Sequence, residues 1–154
     1  MQIRSAVLAG VLTAITAFTV VGAGQVVAAP VPVVSAAPIA AEPLTVPLAQ
    51  QIIRTVVDPA TSPADAAGLV ASNDPALGDR LHGFAVSASN GGYTPSVFTA
   101  TDVRPTGDDT ATATVTVTSP HAPLPIPVPF DYVYADGAWK LTADAAAKLL
   151  SFAR

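Results

Sequence analysis

The sequence predicts an α+β domain in which three helices precede a four-stranded antiparallel sheet and a short helix closes the chain. Three observations carry this reading. Apolar residues recur at helical spacing from Leu48 to Ala88, the composition switches from Ala and Leu to alternating Thr and Val after Pro95, and VPFDYVYADGAWKL (Val128 to Leu141) reads as two strands around a two-residue turn. Helices followed by a meander place the helices on one face of a twisted sheet.

Taken in order, Met1 to Arg4 carries one positive charge, Ser5 to Val21 is apolar or small throughout, and Val27-Ala28-Ala29 precedes Pro30. This is the pattern of a secretory signal peptide over residues 1–29, cleaved after Ala29 or Ala28. A retained anchor helix over Ser5 to Gly24 is the alternative, since that stretch is free of charge and about long enough to cross a thin hydrocarbon core. Residues 30–47 form a linker with proline at 30, 32, 38, 43 and 47, short of backbone donors and biased to extended polyproline geometry. Residues 48–154 make up a single domain, and about 110 residues suffice to bury about two thirds of their surface around one core.

Leu48, Ile52, Ile53, Val56 and Val57 share one helical face, with Thr45 as cap and Pro47 in the first turn, where its missing N–H leaves no gap. Ser62-Pro63-Ala64-Asp65 opens a second helix, expected to run through about Val70. Leu77, Leu81, Phe84, Ala85 and Ala88 give the clearest amphipathic stripe, stopped by Asn90-Gly91-Gly92. Ser96 to Val103 is the first strand and Pro105 to Asp109 its turn; Ala111, Ala113, Val115 and Val117 then alternate with four threonines. Ser119 to Pro127 contains four prolines and is expected to be a protruding loop. In the hairpin, Val128, Phe130, Tyr132 and Tyr134 alternate, Asp136-Gly137 supplies the positive φ values of a type I′ turn, and Trp139 and Leu141 face the core. Thr142 caps the last helix, in which Ala145, Leu149, Leu150 and Phe152 are apolar. The Leu77, Leu81, Phe84 stripe is expected against Trp139, Leu141, Val115 and Val117.

Several of these segments, in order, resemble a known family. TVVDPATSPADAAGLV, the strand ATATVTVTSP, PIPVPFDYVYADGAWKL and the terminal helix are similar to the secreted low-molecular-weight antigens of mycobacteria and related actinobacteria, over about Leu44 to Arg154. The DGAWKL segment recurs in domains resembling the cystatin-like fold of nuclear transport factor two, in which a curved sheet wraps helices into a cone. The resemblance implies export, abundance outside the cell and recognition by host T cells. It supplies no catalytic residues.

Composition narrows the function classes. There is no cysteine, which excludes disulfides, a thiol nucleophile and a lipid-modified cysteine, and with two histidines a structural zinc site is not expected. The formal net charge is −4, and the basic residues beyond the leader, from Arg54 to Arg154, are scattered, so nucleic acid is excluded as a partner. No glycine-rich phosphate loop and no Gly-x-Ser-x-Gly setting is present. His82 with Asp102 or Asp131 is the one candidate acid–base pair. His82 lies off the apolar stripe and reads as a solvated histidine, Asp131 reads as a cross-strand partner of Lys140, and Asp108-Asp109 reads as a solvated turn instead of a calcium site.

The expected function is therefore that of an exported, non-enzymatic domain, a monomer without cofactor or metal, secreted or held at the cell wall and free of the membrane once the leader is removed. A small apolar-ligand carrier is the alternative, with Phe84, Phe98, Tyr132 and Trp139 as pocket residues, and an enzyme built on His82 comes third. A protein of the cell envelope is a further candidate partner, as is a second copy docked on the threonine face.

Overall fold

Three of the four α-helices among the described residues begin where a side-chain oxygen meets a free N–H, and the third in chain order has no such cap; the computed structural model describes residues 42–119, 121 and 123–152. The expected signal peptide, and the linker up to residue 41, lie outside the described residues. Helix α1 spans Val46–Val56, with Thr45 Oγ1 accepting from the Leu48 amide and Ala49, Ile52, Ile53 and Val56 on its buried face. Leu44, ahead of it, is already part of the core. Helix α2, Pro63–Gly68, starts at Ser62, whose hydroxyl accepts from the Asp65 amide and donates to the Asp65 carboxylate. These reciprocal bonds satisfy an orphan donor and set an acid at the positive end of the helix.

Two residues later the structure departs from the expectation of a longer helix. Val70–Ala71 is strand β1, lying parallel to the last strand of the sheet with Val70 opposite Leu141. The sheet is therefore five-stranded and mixed, and a strand precedes the third helix, where four antiparallel strands after three helices were expected. Helix α3, Leu77–Asn90, follows. Its end is a Schellman motif: Gly92 sits at φ +85°, Tyr93 N–H donates to Ala88 O and Gly92 N–H to Ser89 O. At its start Gly78 lies against the Pro63 carbonyl, so α3 packs closely on α2.

A single 3₁₀ turn, Pro95–Val97, leads into β2 (Phe98–Pro105), followed by β3 (Thr110–Val117), β4 (Ile126–Ala135), β5 (Ala138–Thr142) and helix α4 (Ala143–Ser151). The order across the sheet is β1-β5-β4-β3-β2. Asp136 and Gly137 have φ +54° and +80°, as the two-residue turn requires. Phe98, Ala100, Ala113, Val115, Phe130, Tyr132 and Leu141 are buried on one face, while Thr99, Thr101, Pro127, Pro129 and Asp131 are exposed on the other.

Helix α1 lies against β2, β3 and β5 and closes the outer edge of β2. Gln50 Oε1 accepts from Ala100 N–H, and Arg54 donates to the carbonyls of Phe98 and Ser96. Side chains of a helix thus satisfy a strand edge that would otherwise invite another chain. The third helix, by contrast, packs on α2, α1 and α4. The expected seating of its stripe on Trp139 is not found: the indole bonds the Glu42 carbonyl and lines a groove with Pro43, Thr45, Leu48, Ile52 and Leu69.

Candidate functional site

Where α3 draws away from the sheet, a cavity of about 360 Å³ remains. Phe84, Ala88 and Gly91 of α3 and its C-cap, Tyr93, Phe98 of β2, Val117 of β3, Ile126, Val128 and Phe130 of β4, and Leu149 and Phe152 around the end of α4 form its wall. Each arrives by a periodicity visible in the chain. Phe84 and Ala88 are one helical turn apart, Ile126, Val128 and Phe130 are alternate residues of one strand, and Leu149 and Phe152 are three apart on one helix. The cavity persists because its ceiling is built from small residues: Ala88 and Gly91 leave unfilled the volume that a leucine would occupy.

Phe152 is 54% exposed and Ile126 49%, so large apolar side chains stand at the mouth instead of being folded inward. Ser87 and Tyr93 supply the only polar side chains of the wall. The Tyr93 hydroxyl is bonded to Ser119 Oγ at 2.7 Å, and His121 Nε2–H donates to Gly91 O at 3.1 Å, which ties the loop after β3 to the end of α3. The interior is dry in character, of the size that takes one small molecule.

Of the four expected pocket residues, the structure brings two together. Phe84 and Phe98 face this cavity. Tyr132 is fully buried in the core, its hydroxyl donating to Ala49 O at 3.1 Å, and burial pushes its phenol well above the usual range. Trp139 lines a separate, open groove of about 630 Å³ between α1, the segment Glu42 to Thr45 and the β4–β5 turn. Ile126 and Phe152 are functional candidates that the sequence reading passed over. Their signals are the i, i+2 relation of Ile126 to Val128 and the i, i+3 relation of Phe152 to Leu149.

The carboxylate and histidine candidates are engaged separately. His82 is half-buried and its Nδ1 lies 3.2 Å from Thr61 O, bracing the loop between α1 and α2. Asp102 sits in a β-bulge at φ +52° and pairs with Arg104 at 2.7 Å. Asp131 accepts from Thr112 Oγ1 at 2.6 Å, and the expected Asp131–Lys140 pair is replaced by Lys140–Asp136, also at 2.6 Å. Register explains the change: Lys140 opposes Val133, and the turn aspartate is nearer. The Lys140 ammonium, bonded to the Asp136 carboxylate, holds that carboxyl below its ordinary range. Among the described residues no group of three or more acidic or histidine side chains gathers in metal-binding geometry, and no helix is long and apolar enough to cross a membrane.

Residues 42–154 match the family model described as the C-terminal domain of the low molecular weight antigen MTB12. No curated protein matches the chain.

Proposed function

Starting from the premise that this chain belongs to the low molecular weight antigen MTB12 family, we propose that it is an exported, non-enzymatic domain that holds a small apolar molecule between α3, α4 and the sheet. The observation that carries this reading is the aromatic-walled cavity of about 360 Å³ with Phe152 and Ile126 exposed at its mouth. Water gains little from such a wall, and an apolar guest would cover surface that the fold leaves open. Support for a binding role over catalysis comes from the side chains on the wall, which contribute two hydroxyls and no acid–base pair. Export by the leader over residues 1–29, release or retention at the cell wall, a monomeric state and a cystatin-like cone belong to the same proposal.

A water's share of liquid volume is about 30 Å³, so the cavity has room for about a dozen non-hydrogen atoms. At about 0.8 kcal/mol per buried methylene, a ten-carbon chain gains at most about 8 kcal/mol, which corresponds to a Kd of about 1 µM. Titration calorimetry with 1-decanol should give saturable binding with a negative heat-capacity change. Ala88→Phe, which fills the cavity from the α3 side, should weaken it at least about tenfold. Absence of heat with alkyl compounds of every chain length tried, in a protein that melts cooperatively, would remove the ligand from the proposal.

A further inference from the structure

The basic side chains of the described residues are nearly all committed elsewhere. Arg80 pairs with Asp74, Arg104 with Asp102 and Lys140 with Asp136, while Arg54 is spent on two carbonyls at the β2 edge. Lys148 is different. It lies on α4 directly before Leu149 and one turn before Phe152, both of which face the cavity. Its Nζ is 6.0 Å from the centre of the Phe130 ring, another wall residue, and 2.9 Å from the carbonyl of Pro129, which stands between the wall residues Val128 and Phe130. The ammonium therefore sits where α4 meets β4, beside the wall residue Phe130. Of its three protons one goes to Pro129 O. Asp144, one turn earlier on α4, forms no ion pair with it among the described residues.

Resting on the apolar-ligand reading above, we propose that the guest is a carboxylate amphiphile of about ten carbons, its chain among Phe84, Phe98 and Phe130 and its headgroup on Lys148. The geometry divides the guest into two parts. An uncharged wall accepts the chain and rejects a buried charge, since an ion there would lose its hydration without a partner. A headgroup at the rim keeps its water and takes a charge-assisted hydrogen bond from the Lys148 ammonium. The overall charge of −4 works against any anion approaching this protein, so a preference for one would have to come from a local cation.

The test compares decanoate, 1-decanol and decyltrimethylammonium by titration calorimetry at low salt, with the parent chain, Lys148→Met and Lys148→Arg. Decanoate should bind the parent at least about fivefold more tightly than the alcohol, and the cation should bind worst. Lys148→Met should bring acid and alcohol together, Lys148→Arg should keep the preference, and added salt should narrow it. Lys148 is exposed, so equal melting temperatures show that the variants remain folded. Equal binding of acid and alcohol to the parent, or an acid preference that survives Lys148→Met, would overturn the headgroup assignment and leave the apolar cavity standing. Failure of all three probes to bind would overturn the cavity reading as well.

Discussion

The indole Nε1–H of Trp139 donates to the backbone carbonyl of Glu42 at 2.7 Å, which fastens the segment entering α1 onto the turn end of the β4–β5 hairpin. Leu44, buried two residues later, completes the fastening. Tyr134 meets the same indole edge-on, with ring centres 5.7 Å apart. Trp139→Phe keeps the apolar body and loses the bond, so a loss of about 1 kcal/mol is expected in urea denaturation; Trp139→Ala should lose about 3 to 5 kcal/mol. Equal stability of the parent and Trp139→Ala would mean that the ring does not support the fold.

Two glycines of the same helix should respond in opposite directions to alanine. Gly78 of α3 faces the Pro63 carbonyl so closely that a Cβ cannot be placed without moving α2 or α3. Gly83 has nothing near its would-be Cβ. Gly83→Ala should stabilise by about 0.5 to 1 kcal/mol, the helix-propensity difference. Gly78→Ala has the same propensity gain and is nevertheless expected to destabilise by about 1 to 3 kcal/mol, since a backbone atom must yield. Thermal unfolding of the pair decides it, and a stabilised Gly78→Ala would show that α2 and α3 separate freely.

Much of this architecture was legible wherever the signal is local. Thr45, Ser62 and Thr142 cap their helices, Gly92 ends α3, and Asp136-Gly137 turns the hairpin, because each acts within four residues of itself. Val70–Ala71 was not legible: a short apolar run reads equally as the tail of a helix, and its partner Leu141 is remote in sequence. Burial of Trp139 followed from alternation, but its neighbours did not, since alternation names a face and not what covers it. Phe84 and Phe98, expected as pocket residues, line the cavity wall; Ile126 and Phe152 lie at the ends of their elements, where exposed apolar residues resemble fraying.

The buried phenol of Tyr132 should govern stability at high pH. Burial raises its folded-state pKa above the ordinary value of 10.0. The neutral form is therefore the one the fold accepts, and its contribution is full below the unfolded pKa and lost as pH rises above it towards the folded value. Unfolding by base should begin above about pH 10. Phenolate absorbance should show one tyrosine that ionises only as the helical signal disappears. Tyr132→Phe loses the bond to Ala49 O, about 1 kcal/mol near neutrality, but should flatten the stability profile above pH 10. An unchanged alkaline slope in that variant would place the titrating group elsewhere.

Pro127 was expected to lie in a loop outside the sheet, yet it joins Pro129 in β4, the two standing opposite Thr116 and Thr114. The reason is which side of the strand they serve. Tyr134 N–H donates to Asp109 O, so alternation turns the backbone of Val133, Asp131, Pro129 and Pro127 away from β3. β5 pairs only with Tyr132 to Ala135, leaving the earlier half of that side without a neighbouring strand. Proline there removes donors that no strand would use, and Lys148 occupies the Pro129 carbonyl. Replacing both prolines with threonine adds two outward N–H groups to an open edge without altering the pairing to β3. The double variant should associate with rising concentration in sedimentation velocity, further than the parent does, while keeping or gaining thermal stability. Identical sedimentation of the two proteins over a wide concentration range would show that the prolines do not protect this edge.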